Sequence, residues 1–120
     1  MKKILLMCLI VIGFSNFSYA AQGILHSVYI ERVAVISSWG AHVPGNMEVK
    51  IKDGFALPAG VVCDNNHLAT LKTVDGFNLM FTLLITAQSK NQPVMLGIAN
   101  DASLTAYPGR CSIKFVSLLQ

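Results

Sequence analysis

The pair Cys63 and Cys111 constrains this chain more than any other feature, because a covalent link between two distant segments limits the folds that can contain it. The third cysteine, Cys8, falls in a leader-like stretch. Lys2 and Lys3 precede an apolar run over residues 4–14, and Ser18 and Ala20 stand three and one positions before a cut between Ala20 and Ala21. An apolar run of about 10 residues is short for about 30 Å of hydrocarbon, which favours a secretory signal peptide over a membrane anchor. A cut after Ala21 would place bulky Tyr19 where a small side chain is wanted. Cys8 follows Leu5, Leu6 and Met7, without the small neighbours of a lipidation site. Loss of residues 1–20 leaves two cysteines in an oxidising compartment, and these are expected to form one disulfide. Closing a loop of about 50 residues restricts the unfolded chain by roughly 4 kcal/mol. A redox or metal pair is the alternative, but the spacing is not C-x-x-C and no histidine cluster matches it.

The expected organisation is therefore a signal peptide over residues 1–20 and one domain over 21–120, secreted or periplasmic. Of the 120 residues 53% are hydrophobic and 12% charged, which excludes a disordered or nucleic-acid-wrapping chain. Taking Lys2 and Lys3 from nine basic side chains leaves seven against six acids, a surplus of one. No basic stripe survives, so neither nucleic acid nor anionic lipid is expected as a partner. No later stretch reaches 18 consecutive apolar residues, so no membrane span is expected in the mature chain.

Residues 23–39 are strongly β-forming. Ile24, Val28 and Ile30 alternate on even positions before Val33 and Val35 take over on odd ones, and this slip near Glu31 and Arg32 predicts a bulge, a sharp bend or a break into two strands. Met47, Val49 and Ile51 alternate with Glu48, Lys50 and Lys52, as in a strand with one wet face, and Asp53-Gly54 ends it. Residues 55–66 read as a loop tied down by Cys63, and residues 67–74 as a short strand. Asp75 is a candidate N-cap for a helix over 77–90, whose wide apolar stripe predicts extensive burial. Lys90, Asn91 and Pro93 stop that helix. Residues 94–98 form the next strand, 100–110 a polar loop with the turn Tyr107-Pro108-Gly109, and 111–119 the last strand. In that strand Cys111, Ile113, Phe115 and Ser117 share a face. This order predicts a mainly β domain, a five-stranded OB-like barrel with the helix between strands three and four. An α+β sandwich is the rival.

The second half, LMFTLLITA at residues 79–87, then Gln92-Pro93-Val94-Met95-Leu96 and the closing Cys111-Ser112-Ile113, resembles small exported bacterial proteins of about 100 residues. It is similar in arrangement to the OB-fold B subunits of AB-type toxins, including subtilase-cytotoxin-like B chains. The resemblance covers residues 77–119 and implies an OB-like fold, export, ring assembly and glycan binding. No sugar-contact motif aligns, so no binding residue is carried over from it.

Catalytic signals are sparse. There is no G-x-S-x-G turn, both mature cysteines serve better as a crosslink, and the six acids do not suggest a glycosidase pair. His26, His42 and His67 lack metal-ligand spacing, so neither a metal nor another cofactor is expected. Binding residues are better candidates. Trp39, the single tryptophan, sits with His42 where β-pattern gives way to Gly and Pro; its ring can stack on a sugar or a protein partner, or fold back over one end of the domain. Asn100, Asp101, Tyr107 and Arg110 offer hydrogen-bonding groups in the second loop, which could equally be a solvated turn. Arg110 is held next to Cys111. The expected function is non-enzymatic recognition of a glycan or protein receptor by a homo-oligomer, with a periplasmic interaction module, such as a hydrolase inhibitor, as the alternative.

Overall fold

A computed structural model describes residues 21–120. The signal peptide expected over residues 1–20, with Cys8, lies outside the described residues. The elements run β1 (Gln22–Val28), β2 (Ile30–Ile36), β3 (Asn46–Ile51), β4 (His67–Leu71), α1 (Phe77–Lys90), β5 (Val94–Ala99) and β6 (Ser112–Leu118). They form two three-stranded antiparallel sheets, ordered β1-β5-β6 and β2-β3-β4.

The expected five strands are thus corrected to six in two sheets, without a closed five-stranded barrel, and the helix follows β4 rather than lying between strands three and four. The physical reason is a break at Tyr29. This residue leaves both ladders and its carbonyl accepts instead from Lys52 N–H at 2.9 Å. Register shifts flank it, between Leu25 and Val28 on one side and Ile30 and Arg32 on the other. The phase slip in the sequence is therefore real, but it divides one strand between two sheets. The sheets meet again where Leu68 and Cys111 make an isolated parallel bridge. Ala69 N–H donates to Cys111 O there, and Ile113 N–H donates to Thr70 Oγ1, both at 2.9 Å.

The core lies between the sheets and α1. Met47, Val49 and Ile51 from β3, Leu68 from β4, Leu96 and Ile98 from β5 and Ile113 from β6 are buried. Fully burying an aliphatic side chain of this size contributes about 1.5–3 kcal/mol, so these strands form the stable centre on which the loops are mounted.

Helix α1 spans the expected residues, but only Met80, Leu84 and Ala87 are buried, while Leu79 is 75% exposed. Its wide apolar stripe is thus only partly covered. Asp75 does not cap it: Gly76 takes the N-cap position in the left-handed region at φ 75°, with no side-chain cap bond. At the other end Asn91 adopts the left-handed conformation and Gln92 N–H donates to Ala87 O, as its sequence suggests. In β6 a register shift opposite Gly97 and Ile98 turns Phe115 away from the face of Ile113, leaving Phe115 exposed.

Candidate functional site

Glu48 is the residue around which this site is built. Its place in β3, opposite Ala34 of β2 and Ala69 of β4, predicts a solvated side chain on the face away from Met47, Val49 and Ile51. Instead the residue is only 8% exposed. Arg32 Nη2 donates to Oε1 and Arg110 Nη1 to Oε2, both at 2.6 Å, and His42 Nε2 lies 3.1 Å from Oε2. Burial by itself would raise the Glu48 carboxyl, but hydrogen bonds and charge from Arg110 and Arg32 outweigh it and hold the group below its ordinary range.

Each partner arrives from a different segment. Arg32 comes from β2, two residues from Ala34 and on the same strand face as Glu48. His42 sits in the β2–β3 connection, where His42 N–H donates to Trp39 O and Gly45 N–H to Ile36 O. Asn46 Nδ2 donates to Val43 O across the same turn. Arg110 comes from the loop before β6, stacked on the Tyr107 ring at 4.2 Å. The imidazole of His42 packs on the other residue of that pair, with ring centroids of His42 and Tyr107 4.6 Å apart. His42 Nδ1 is buried with no hydrogen-bond partner among the described residues, as is Asn46 Oδ1.

The loop over residues 100–110 is tethered along its length. Val43 N–H donates to Ala106 O, Leu71 N–H to Leu104 O, and Asp64 N–H to Gly109 O. Thr105 Oγ1 donates to Tyr107 O. The disulfide between Cys63 and Cys111, with Cα atoms 5.6 Å apart, closes its far end. Between this loop, the Ala41–Val43 turn and Val62-Cys63 lies an open cleft of about 400 Å³. Arg110 and Asn100 line it with alanines, Val43, Val62 and Pro108.

Of the candidates read from the sequence, His42, Tyr107 and Arg110 come together around Glu48, and Asn100 joins Arg110 in the cleft wall. Asn100 Oδ1 accepts from Ala21 N–H at 2.8 Å, which anchors the start of β1 beside the cleft. Asp101 is near in sequence but its carboxylate accepts from Ser103 N–H and Oγ; those bonds hold it below its usual range, with a lesser contribution from Lys114. Trp39 is 78% exposed and lies outside the cleft wall, so it does not cover the core. His67, opposite Lys50 in the β3–β4 register, lies 3.5 Å from Asp64, and His26 is exposed on β1.

Arg32 and Glu48 are functional candidates that sequence reasoning passes over. Both sit in strands where a charged residue alternating with apolar ones looks solvated, and the approach of Arg110 and His42 from other segments buries the acid. Among the described residues no group of three or more His, Cys, Asp or Glu side chains could hold a metal ion. No described helix is long and apolar enough to cross a membrane. Comparison with protein-family models, curated proteins and solved structures found no match to this chain.

Proposed function

We propose that this chain is an exported, non-enzymatic recognition protein that takes a ligand in the cleft beside Arg110, in the manner of a glycan- or receptor-binding toxin B subunit. One observation carries the reading: the cleft is open, mostly apolar, and walled by a loop that is held by backbone bonds, a disulfide and the Arg110–Glu48 pair. Rigid walls lower the ordering cost of binding, which is the usual design of a recognition site. The disulfide supports export to an oxidising compartment.

The chain path supports an OB-like reading of the fold. A single residue separates β1 from β2, and the Leu68–Cys111 bridge brings β4 alongside β6. Exposed Leu79 and Ile85 on α1 supply apolar surface for assembly of copies. Light scattering and a glycan array on the exported protein test the proposal. Several subunits and array hits weakened by Tyr107→Ala are expected; a monomer with a silent array removes the glycan-binding ring.

The second reading, a protein-interaction module, draws on exposed Trp39, Val35 and Val62. It expects a monomer that retains one protein partner, with retention lost in Trp39→Ala.

A further inference from the structure

We propose that the cleft recognises an organic anion, a carboxylate or sulfate carrying a short apolar body, with Arg110 as the residue that reads the negative charge. This rests on the cleft being a binding site and names the chemistry it selects.

Three observations converge on it. First, Arg110 is the only charged residue among the described residues of the cleft wall; the rest is chiefly Ala, Val and Pro with the polar groups of Asn100 and Thr105. Among the described residues no carboxylate lines the wall, and Asp101 is engaged with Ser103. Second, Glu48 occupies only Nη1 of Arg110, and no other Arg110 donor has a protein acceptor among the described residues. A guanidinium carries several N–H donors in a fixed fork, so donors remain for a ligand carboxylate or sulfate. Third, the charge around Glu48 is unbalanced: one carboxylate faces two guanidiniums. A ligand anion at Arg110 would restore neutrality in a place where the side chain is only 17% exposed and screening is reduced.

The fork is also pre-aimed. Glu48 holds one edge of the guanidinium and the Tyr107 ring supports its face, so little side-chain freedom is lost when an anion docks. Asn100 adds to the same wall. Its Oδ1 is used by Ala21 N–H, which leaves the amide Nδ2 donors for the ligand. The apolar portion then lies on Val43, Val62 and Pro108, which a free inorganic anion would leave uncovered.

The test is an NMR titration of the exported, disulfide-bonded protein with three probes of one chain length: octanoate, octyl sulfate and neutral octanamide. Octanoate or octyl sulfate is expected to shift the amide signals of Ala102, Thr105, Gly109 and Arg110 and to bind at least about tenfold more tightly than octanamide. The tighter of the two anions identifies the head group. Arg110→Gln should abolish the preference for the anions, bringing octanoate down to the level of octanamide measured on the same variant. Should that variant fail to fold, the wild-type protein still decides, because the preference for the anions must shrink as salt is raised. Octanamide binding in the cleft as tightly as octanoate would overturn the anion assignment and leave the cleft as a binding site. Silence of the cleft signals with all three probes, while a neutral glycan from the array shifts them, would overturn it as well. Silence with every probe and every glycan would overturn both readings.

Discussion

Arg110 Nη1 and Glu48 Oε2 are 2.6 Å apart although the residues are 62 positions apart in sequence. The contact ties the loop before β6 to the central strand of the other sheet, next to the bridge and disulfide that join the same regions. One ion pair therefore serves two purposes. It fastens the cleft wall, and it neutralises an acid that would be costly to bury alone.

Removing Arg110 should destabilise the fold more than removing Arg32. Arg110→Ala leaves a buried carboxylate short of its more enclosed partner, and a loss of about 2 kcal/mol is expected. Arg32 is 54% exposed, so Arg32→Ala should cost less than about 1 kcal/mol. Urea unfolding of both variants measures the difference, and equal losses would show that the Arg110 contact has no special weight.

Stability should fall on acidification. The folded Glu48 group titrates below its ordinary value, so its contribution is fully present above an unfolded pKa of about 4.3 and is lost as pH falls through the lower folded value. Asp64 behaves in the same direction: burial raises its carboxyl, but N–H bonds from Asn66 and His67 lower it further. Glu48→Gln should flatten the slope of unfolding free energy against pH below about 5 without abolishing it. An unchanged slope would remove Glu48 as a source of acid sensitivity.

Loss of the disulfide should be felt in both stability and the cleft. Cys63→Ser with Cys111→Ser is expected to cost about 4 kcal/mol by releasing the unfolded chain. Because Cys63 lines the cleft and Arg110 adjoins Cys111, hydrogen exchange of Gly109 and Arg110 should also quicken. Protection of these amides at wild-type levels in the double variant would show that the loop is held without the crosslink.

The two faces of α1 should respond differently. Leu84→Ala empties space in the core and should cost about 2–5 kcal/mol. Leu79→Ala, on the exposed face, should change the stability of the single chain by less than about 0.5 kcal/mol. Chemical unfolding at low and high protein concentration separates this from assembly: a Leu79 effect that grows with concentration points to that face as a contact between copies.

Trp39→Ala is likewise expected to leave stability within about 0.5 kcal/mol of wild type, since the ring is 78% exposed. A larger loss in urea unfolding would mean that the ring packs against the domain in solution.

Local chemistry made much of this chain readable from its residues. The α1 boundaries follow from apolar spacing and from Asn91 and Pro93, signals that act within a few residues of where they are written. The Cys63–Cys111 pair follows from counting once Cys8 is assigned to the expected signal peptide. The turn at Asp53-Gly54 has both residues at positive φ, as that dipeptide implies.

What depended on distant contacts was not readable. The slip near Glu31 and Arg32 marks an irregularity, but only the loss of ladder pairing at Tyr29 divides the segment between two sheets. The bulge in β6 shows only in its register against β5, so the exposure of Phe115 could not be foreseen from alternation. Glu48 is the clearest case. Within β3 its pattern is that of a wet position, and its burial is created by Arg110 and His42 arriving from other parts of the chain. Periodicity and turn chemistry are set by neighbours along the backbone, whereas the burial of a charge is set by whichever partners the folded chain brings to it.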